Sequence, residues 1–213
     1  MGGRKLEKIK QNPFVKKVGF NRIVLCCVLL LMYGLFCALT GGSFAGMNRI
    51  MSALNYAYFL GFLSLGVTFV IATGQIDFSI GPVMFCCALI SGYTLTTHGI
   101  SMPVAILISI LVGFAFGLFN GYLVAYWSVP SFITSMASMN IAKGLASVYT
   151  KTQSVSWPQA ADPDNGWFRN LVTYNGFPVG LVILLVVAVV CAIILNKTRI
   201  GRYILCLGSN KEA

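Results

Sequence analysis

Asp77 is the only acidic residue between Glu7 and Asp162, and it lies in a short polar break, Thr73-Gly74-Gln75-Ile76-Asp77-Phe78-Ser79. Apolar runs lead into this break from Ile50 and out of it beyond Ser79. A carboxylate, an amide and hydroxyls at this spacing supply hydrogen-bond donors and acceptors. They do not supply bond-breaking chemistry: the apolar stretches hold no paired carboxylates, no histidine–cysteine cluster and no nucleophile beside a base. No phosphate-cradling glycine loop with a lysine is present either. Backbone that leaves a helix at membrane depth survives where it is buried in protein or lines a wet cavity. Two readings of the break therefore stand. It borders a path or gate through the membrane, or it is an ordinary polar turn between two spans.

The elements that position this break follow from composition. Hydrophobic residues make up 57% of the 213 and charged residues only 9%, which excludes a soluble globular domain. The net charge of +10 is not a nucleic-acid patch, because seven of the fifteen Lys and Arg precede Ile23 and four follow Leu195. Cations at the ends of apolar runs encode topology. The seven cysteines fall in or beside apolar runs without metal-ligand spacing and read as small hydrophobes. His98 has no partner ligand and reads as a loop residue.

A bilayer core takes about 20 helical residues. Six spans are expected at about 23–40, 50–74, 82–97, 104–127, 132–149 and 178–195, after a basic cytoplasmic tail at 1–22. The first resembles a signal peptide but is too long and lacks a small-residue cleavage site, so it is read as a retained span. Gly81-Pro82 reads as a helix restart, with Gly81 at the cap and Pro82 at the first position. His98 to Pro103 and Ser128 to Ser131 read as loops, since proline and its predecessor resist helix. Lys143 makes the fifth span the weakest; it snorkels, faces water, or marks an incomplete crossing, with snorkelling the default. The turn-rich 151–177 segment interleaves Trp157, Trp167, Phe168 and Tyr174 with polar residues. It reads as an interfacial aromatic belt, with a docking surface as the sharper alternative. Six crossings put both termini in the cytoplasm, with eleven cations inside and three (Arg49, Lys151, Arg169) outside. The expected fold is an all-α polytopic transmembrane bundle.

Within the fourth span Gly113, Gly117 and Gly121 recur every four residues and form a bare strip suited to helix packing. Asn120 beside them either bonds across helices or lines a path.

Three stretches, taken together and in order, resemble a known family. The first is Leu65-Gly66-Val67-Thr68-Phe69-Val70-Ile71 running into Gly74-Gln75-Ile76-Asp77-Phe78-Ser79-Ile80-Gly81. The second is Asn120-Gly121, then Val129-Pro130-Ser131-Phe132-Ile133-Thr134 and Ala142-Lys143-Gly144. The third is Thr198-Arg199-Ile200-Gly201-Arg202-Tyr203 with Gly208-Ser209-Asn210-Lys211-Glu212-Ala213. Nearly the whole chain resembles the permease subunit of bacterial monosaccharide ABC importers, of the ribose, galactose and xylose type related to branched-chain amino-acid permeases.

The resemblance implies a multi-pass protein of the bacterial inner membrane that passes a sugar by alternating access. It implies three partners besides the lipid bilayer: a second permease copy, a cytoplasmic ATP-binding subunit, and a periplasmic or lipid-anchored sugar-binding protein, with no nucleic acid. ATP and Mg would sit on the ATPase, and this chain would bind no cofactor and catalyse nothing. Thr73, Gln75, Asp77, Ser79 and Asn120 become the candidate substrate pathway or gate. Gly201, Arg202, Gly208, Asn210, Glu212 and Ala213 become the start of a cytoplasmic coupling segment spanning 196–213, with the two glycines expected at tight turns. Family members continue beyond this motif, so the resemblance implies a C-terminally truncated chain. Neutral hydroxyls suit the amide, carboxylate and hydroxyl groups of the pathway, which leans towards sugar. An ion-coupled secondary transporter or channel, and an inactive truncated remnant, remain as alternatives.

Overall fold

The computed structural model describes residues 20–174 and 176–209. Most of the expected basic tail, and Asn210, Glu212 and Ala213 of the expected coupling segment, lie outside the described residues. The described residues form α-helices and loops, with a single isolated bridge between Tyr174 and Phe177 and no strand.

The chain divides into two units, Met1–Ala53 and Leu54–Ala213. In the first, α1 (Phe20–Leu39) is an unbroken apolar helix. It ends where Gly41 and Gly42 take positive φ, at 59° and 84°, a conformation glycine adopts without penalty. Thr40 Oγ1 donates to the Phe36 carbonyl at 2.7 Å, and the Phe44 ring folds back to within 5.6 Å of both Tyr33 and Phe36.

The second unit carries most of α2 (Met47–Ala72), then α3 (Ile80–His98), α4 (Met102–Tyr126), α5 (Ser131–Tyr149), α6 (Trp167–Val172), α7 (Val179–Lys197) and α8 (Arg199–Ser209). One helix stands over each of the six expected stretches, with ends displaced by less than a turn. Among the described residues, α2, α3, α4 and α7 are long and apolar enough to cross a membrane, and α1 contributes a shorter apolar helix. The exception is α5. It has the length, at 19 residues, but its inner face is built of Thr134, Ser135, Ser138, Ala142 and Ala146. These small side chains let α5 lie close against α3 and α4, where Cys86, Ile90, Phe116, Ala142 and Ala146 form the core. Thr94 Oγ1 and the Tyr149 hydroxyl, 2.9 Å apart, tie α3 to the far end of α5. The other sequence feature of α5, Lys143, is on its exposed side.

Three expectations are corrected. The restart before α3 is not capped at Gly81: the helix begins at Ile80, Ser79 is the cap, and the Ser79 carbonyl accepts the Val83 N–H at 2.8 Å. Pro82 then sits inside the first turn, where its missing N–H is not needed. Gly201 and Gly208 are not at turns but within α8. Their role is close approach: a Cβ on Gly201 would strike the Ile194 and Leu195 carbonyls, and one on Gly208 would strike the Ala72 carbonyl.

The segment 151–177 is also more than a belt. Asp162 Oδ1 accepts the backbone N–H of Asp164 and Asn165 at 3.0 and 3.1 Å, which sets a tight turn. Asn165 Oδ1 then accepts the Met102 N–H at 3.2 Å, satisfying one orphan donor at the start of α4. Trp157 and Phe168 pack on the cluster of Leu95, Met102 and Ala105, with their rings stacked at 6.0 Å. Trp167 and Tyr174 stay exposed, as belt residues do.

Candidate functional site

The break between α2 and α3 solves its backbone problem residue by residue. The Thr73 and Gln75 N–H groups return to the Val70 carbonyl at 3.1 and 3.3 Å, and the Gly74 N–H reaches Ile71 at 2.8 Å. Gly74 has φ of 72°, so the chain can reverse there without strain. The Ile76 N–H donates to Ser131 Oγ at 3.3 Å, a hydroxyl supplied by the start of α5. Asp77 Oδ1 then accepts both the backbone N–H and the hydroxyl of Ser79, each at 2.6 Å. One carboxylate oxygen thus closes the turn that starts α3.

Ser79 is buried, and its hydroxyl is not a dead end. It accepts from Asn120 Nδ2 at 3.0 Å, while Asn120 Oδ1 accepts the hydroxyl of fully buried Ser138. Four side chains, two from the break at the start of α3 and one each from α4 and α5, form one line, Ser138 to Asn120 to Ser79 to Asp77. Hydrogen bonds to an ionised acceptor contribute about 1.5–3 kcal/mol, and neutral ones about 1 kcal/mol. This line is therefore the strongest polar tie between those helices.

Cavities border it. One, of about 540 Å³, runs between α3 and α4 from Asp77, Ser79 and Asn120 to Ser109 and Trp157. Ser109 and Asn120 are three helical turns apart, about 16 Å along α4. A second, of about 410 Å³, is bounded by Thr73, Gln75, Asp77, Asn120, Gly121, Ser131, Ser135 and by Ile204 of α8. The two share Asp77, Gly117 and Asn120. A third, of about 470 Å³, continues past Gln75 and Ile76 to the Ser128-Val129-Pro130 loop. Asp77 and Asn120, two members of the polar line, thus stand in the wall common to both chambers. Thr73, Gln75, Asp77, Ser79 and Asn120 all border one or both of these chambers.

The glycine strip divides in role. A Cβ on Gly113 would lie 3.5 Å from Cys87 Sγ, a close helix contact, whereas Gly117 and Gly121 face open space and widen the chambers. Arg202 is exposed on α8 and away from the chambers. Sequence reasoning missed Ser131 and Ser138, although the small-residue face of α5 carried the signal. It also missed that Trp157 borders a chamber. Among the described residues no group of histidines, cysteines and carboxylates could hold a metal ion.

Residues 49–213 match the family model described as the permease component of a branched-chain amino acid transport system. The chain belongs to this family. It is a multi-pass membrane protein, and the permease is similar along 97% of its length to the fructose import permease protein FruF of Bifidobacterium longum, at 29% identity over 60% of that protein. It is 32% identical to the galactofuranose transporter permease protein YtfT of Escherichia coli, over 75% of this chain and 46% of that one. Against the ribose import permease protein RbsC of Haemophilus influenzae it is 30% identical, over 80% of this chain and 52% of the relative. The permease spans about half the length of these relatives. No solved structure matches it.

Proposed function

We propose that this permease is the membrane-spanning subunit of an ATP-driven importer that passes a sugar across the bacterial inner membrane by alternating access. The observation that carries the reading is the common wall: two chambers share Asp77 and Asn120, and a hydrogen-bonded line joins those residues. Alternating access requires chambers that open in turn around a common polar boundary. Relatives named for fructose, galactofuranose and ribose support the solute class. The boundary offers amide, hydroxyl and carboxylate groups and no cation, which suits neutral polyols.

The external binding protein captures the sugar, so the permease itself holds it weakly. A cytoplasmic ATP-binding subunit with ATP and Mg drives the cycle, a second permease copy completes the pore, and this chain binds no cofactor. Thr73, Gln75, Asp77, Ser79 and Asn120 form the gate. Arg202 with Gly201, Gly208, Asn210, Glu212 and Ala213 forms the beginning of the surface that receives ATPase motion. Proteoliposomes holding the full-length permease, its ATPase and its binding protein test the whole reading. ATP should drive uptake of a labelled monosaccharide and not of labelled leucine, and a proton uncoupler should change nothing. Uptake that collapses with the uncoupler would instead mean an ion-coupled carrier.

Orientation is checked separately. With both termini cytoplasmic, a cysteine placed at Ser156 should label from outside and one at Ser209 only from inside, in a cysteine-free background. Labelling of both from one side would sink the six-crossing arrangement.

A further inference from the structure

Trp157 borders two chambers at once. It closes the far end of the one that begins at Asp77, and it lines another of about 550 Å³ with Tyr58, Phe168, Arg169 and Thr173. Gly92 makes room for it: a Cβ there would lie 3.0 Å from the indole Cε2 and Nε1 and 2.7 Å from Val155 Cγ1. Phe168 stacks on it at 6.0 Å with an interplanar angle of 26°, which fixes the ring. Among the described residues the indole N–H donates to no protein acceptor, and the side chain is only half-buried. A half-open indole with a free donor, held between two chambers, is built for more than filling a core.

We propose that the Trp157 indole is the outer recognition element of the path, a platform on which the apolar face of a neutral sugar ring stacks before it enters the chamber ending at Asp77. This rests on the sugar-import reading above. A pyranose or furanose presents C–H groups on one face and hydroxyls around its edge. An aromatic face packs against the first, and the indole N–H donates to an edge oxygen. The alternative client of an indole face is a cation. Arg169 lines the same outer chamber and opposes one, its Nε tied to the Pro158 carbonyl at 3.0 Å. The platform therefore selects against cationic clients.

The test is the ratio of labelled sugar imported to ATP hydrolysed in proteoliposomes of the full-length permease with its ATPase and binding protein. Trp157→Ala should lower that ratio roughly five- to tenfold, while binding-protein-stimulated ATPase activity persists. Trp157→Phe, which keeps an aromatic face, should lose only about two- to threefold, the low end of what losing one neutral hydrogen bond costs. Trp157→Leu should behave like alanine. A leucine variant as good as tryptophan would mean an apolar plug and overturn the platform, as would equal loss of transport and ATPase activity in every variant. If the unaltered permease moves no sugar but does move leucine, the import reading fails first and the platform with it.

Discussion

Asp77→Asn in the full-length permease should cut monosaccharide uptake about ten- to a hundredfold and leave its amount in the membrane unchanged. The carboxylate oxygen accepts two short bonds from Ser79, and both depend on its charge. An amide oxygen in its place keeps the shape but weakens each bond by about 1 kcal/mol, the gap between charged and neutral acceptors. The amide nitrogen can also turn inward, where it presents a donor to donors. Two such losses at one turn amount to about one to two orders of magnitude in the population of the intact polar line, at about 1.4 kcal/mol per tenfold. The measurements are initial uptake of labelled sugar, ATP hydrolysis, and immunoblotting of the membrane fraction. Unchanged uptake would make Asp77 a plain turn residue. Loss from the membrane would make its role structural.

Gly208→Ala should uncouple the permease, lowering uptake at least tenfold while ATP hydrolysis continues. The added methyl has nowhere to go, because its neighbour is the Ala72 backbone carbonyl and not the end of a flexible side chain. Forcing atoms into such a contact typically costs about 1–3 kcal/mol, so α8 must move away from the end of α2. That end is the residue pair before Gly74, where an added Cβ would likewise meet the Gly208 α-carbon, at 3.6 Å. Leu207→Ala, one residue away on an exposed side chain, serves as the control and should import normally. Uptake of the glycine variant at the unaltered rate would show that α8 does not need to touch the break.

The helices were legible because their signals are local. Apolar runs of membrane length, prolines at 103 and 130, and Gly41-Gly42 mark their own ends. The α3 start was misplaced by two residues because Gly-Pro is a strong local signal, and the Asp77 carboxylate overrode it by capping Ser79 instead. Asp77 stood out as a lone charge, and Asn120 as a polar residue on a glycine strip. Their meeting through Ser79 did not, since nothing in the spacing of positions 79, 120 and 138 says that three separate helices converge. Gly201 and Gly208 looked like turn residues for the same reason. A glycine that breaks a helix and a glycine inside one that touches another backbone are the same letter. Trp157 was hidden by its surroundings, a polar loop whose aromatics suggest an interface even when one of them folds inward.

The line from Ser138 to Asp77 has a direction. Each member donates towards the carboxylate: hydroxyl to amide oxygen, amide nitrogen to hydroxyl, hydroxyl to Asp77. A guest that slips between Asn120 and Ser79 without turning the others round must accept on one side and donate on the other. A hydroxyl does both with one atom. An ammonium can donate to Ser79 but accepts nothing from Asn120, and a carboxylate has the opposite deficiency. Charged visitors would have to reverse the relay, whereas a polyol could hand itself through it one hydroxyl at a time.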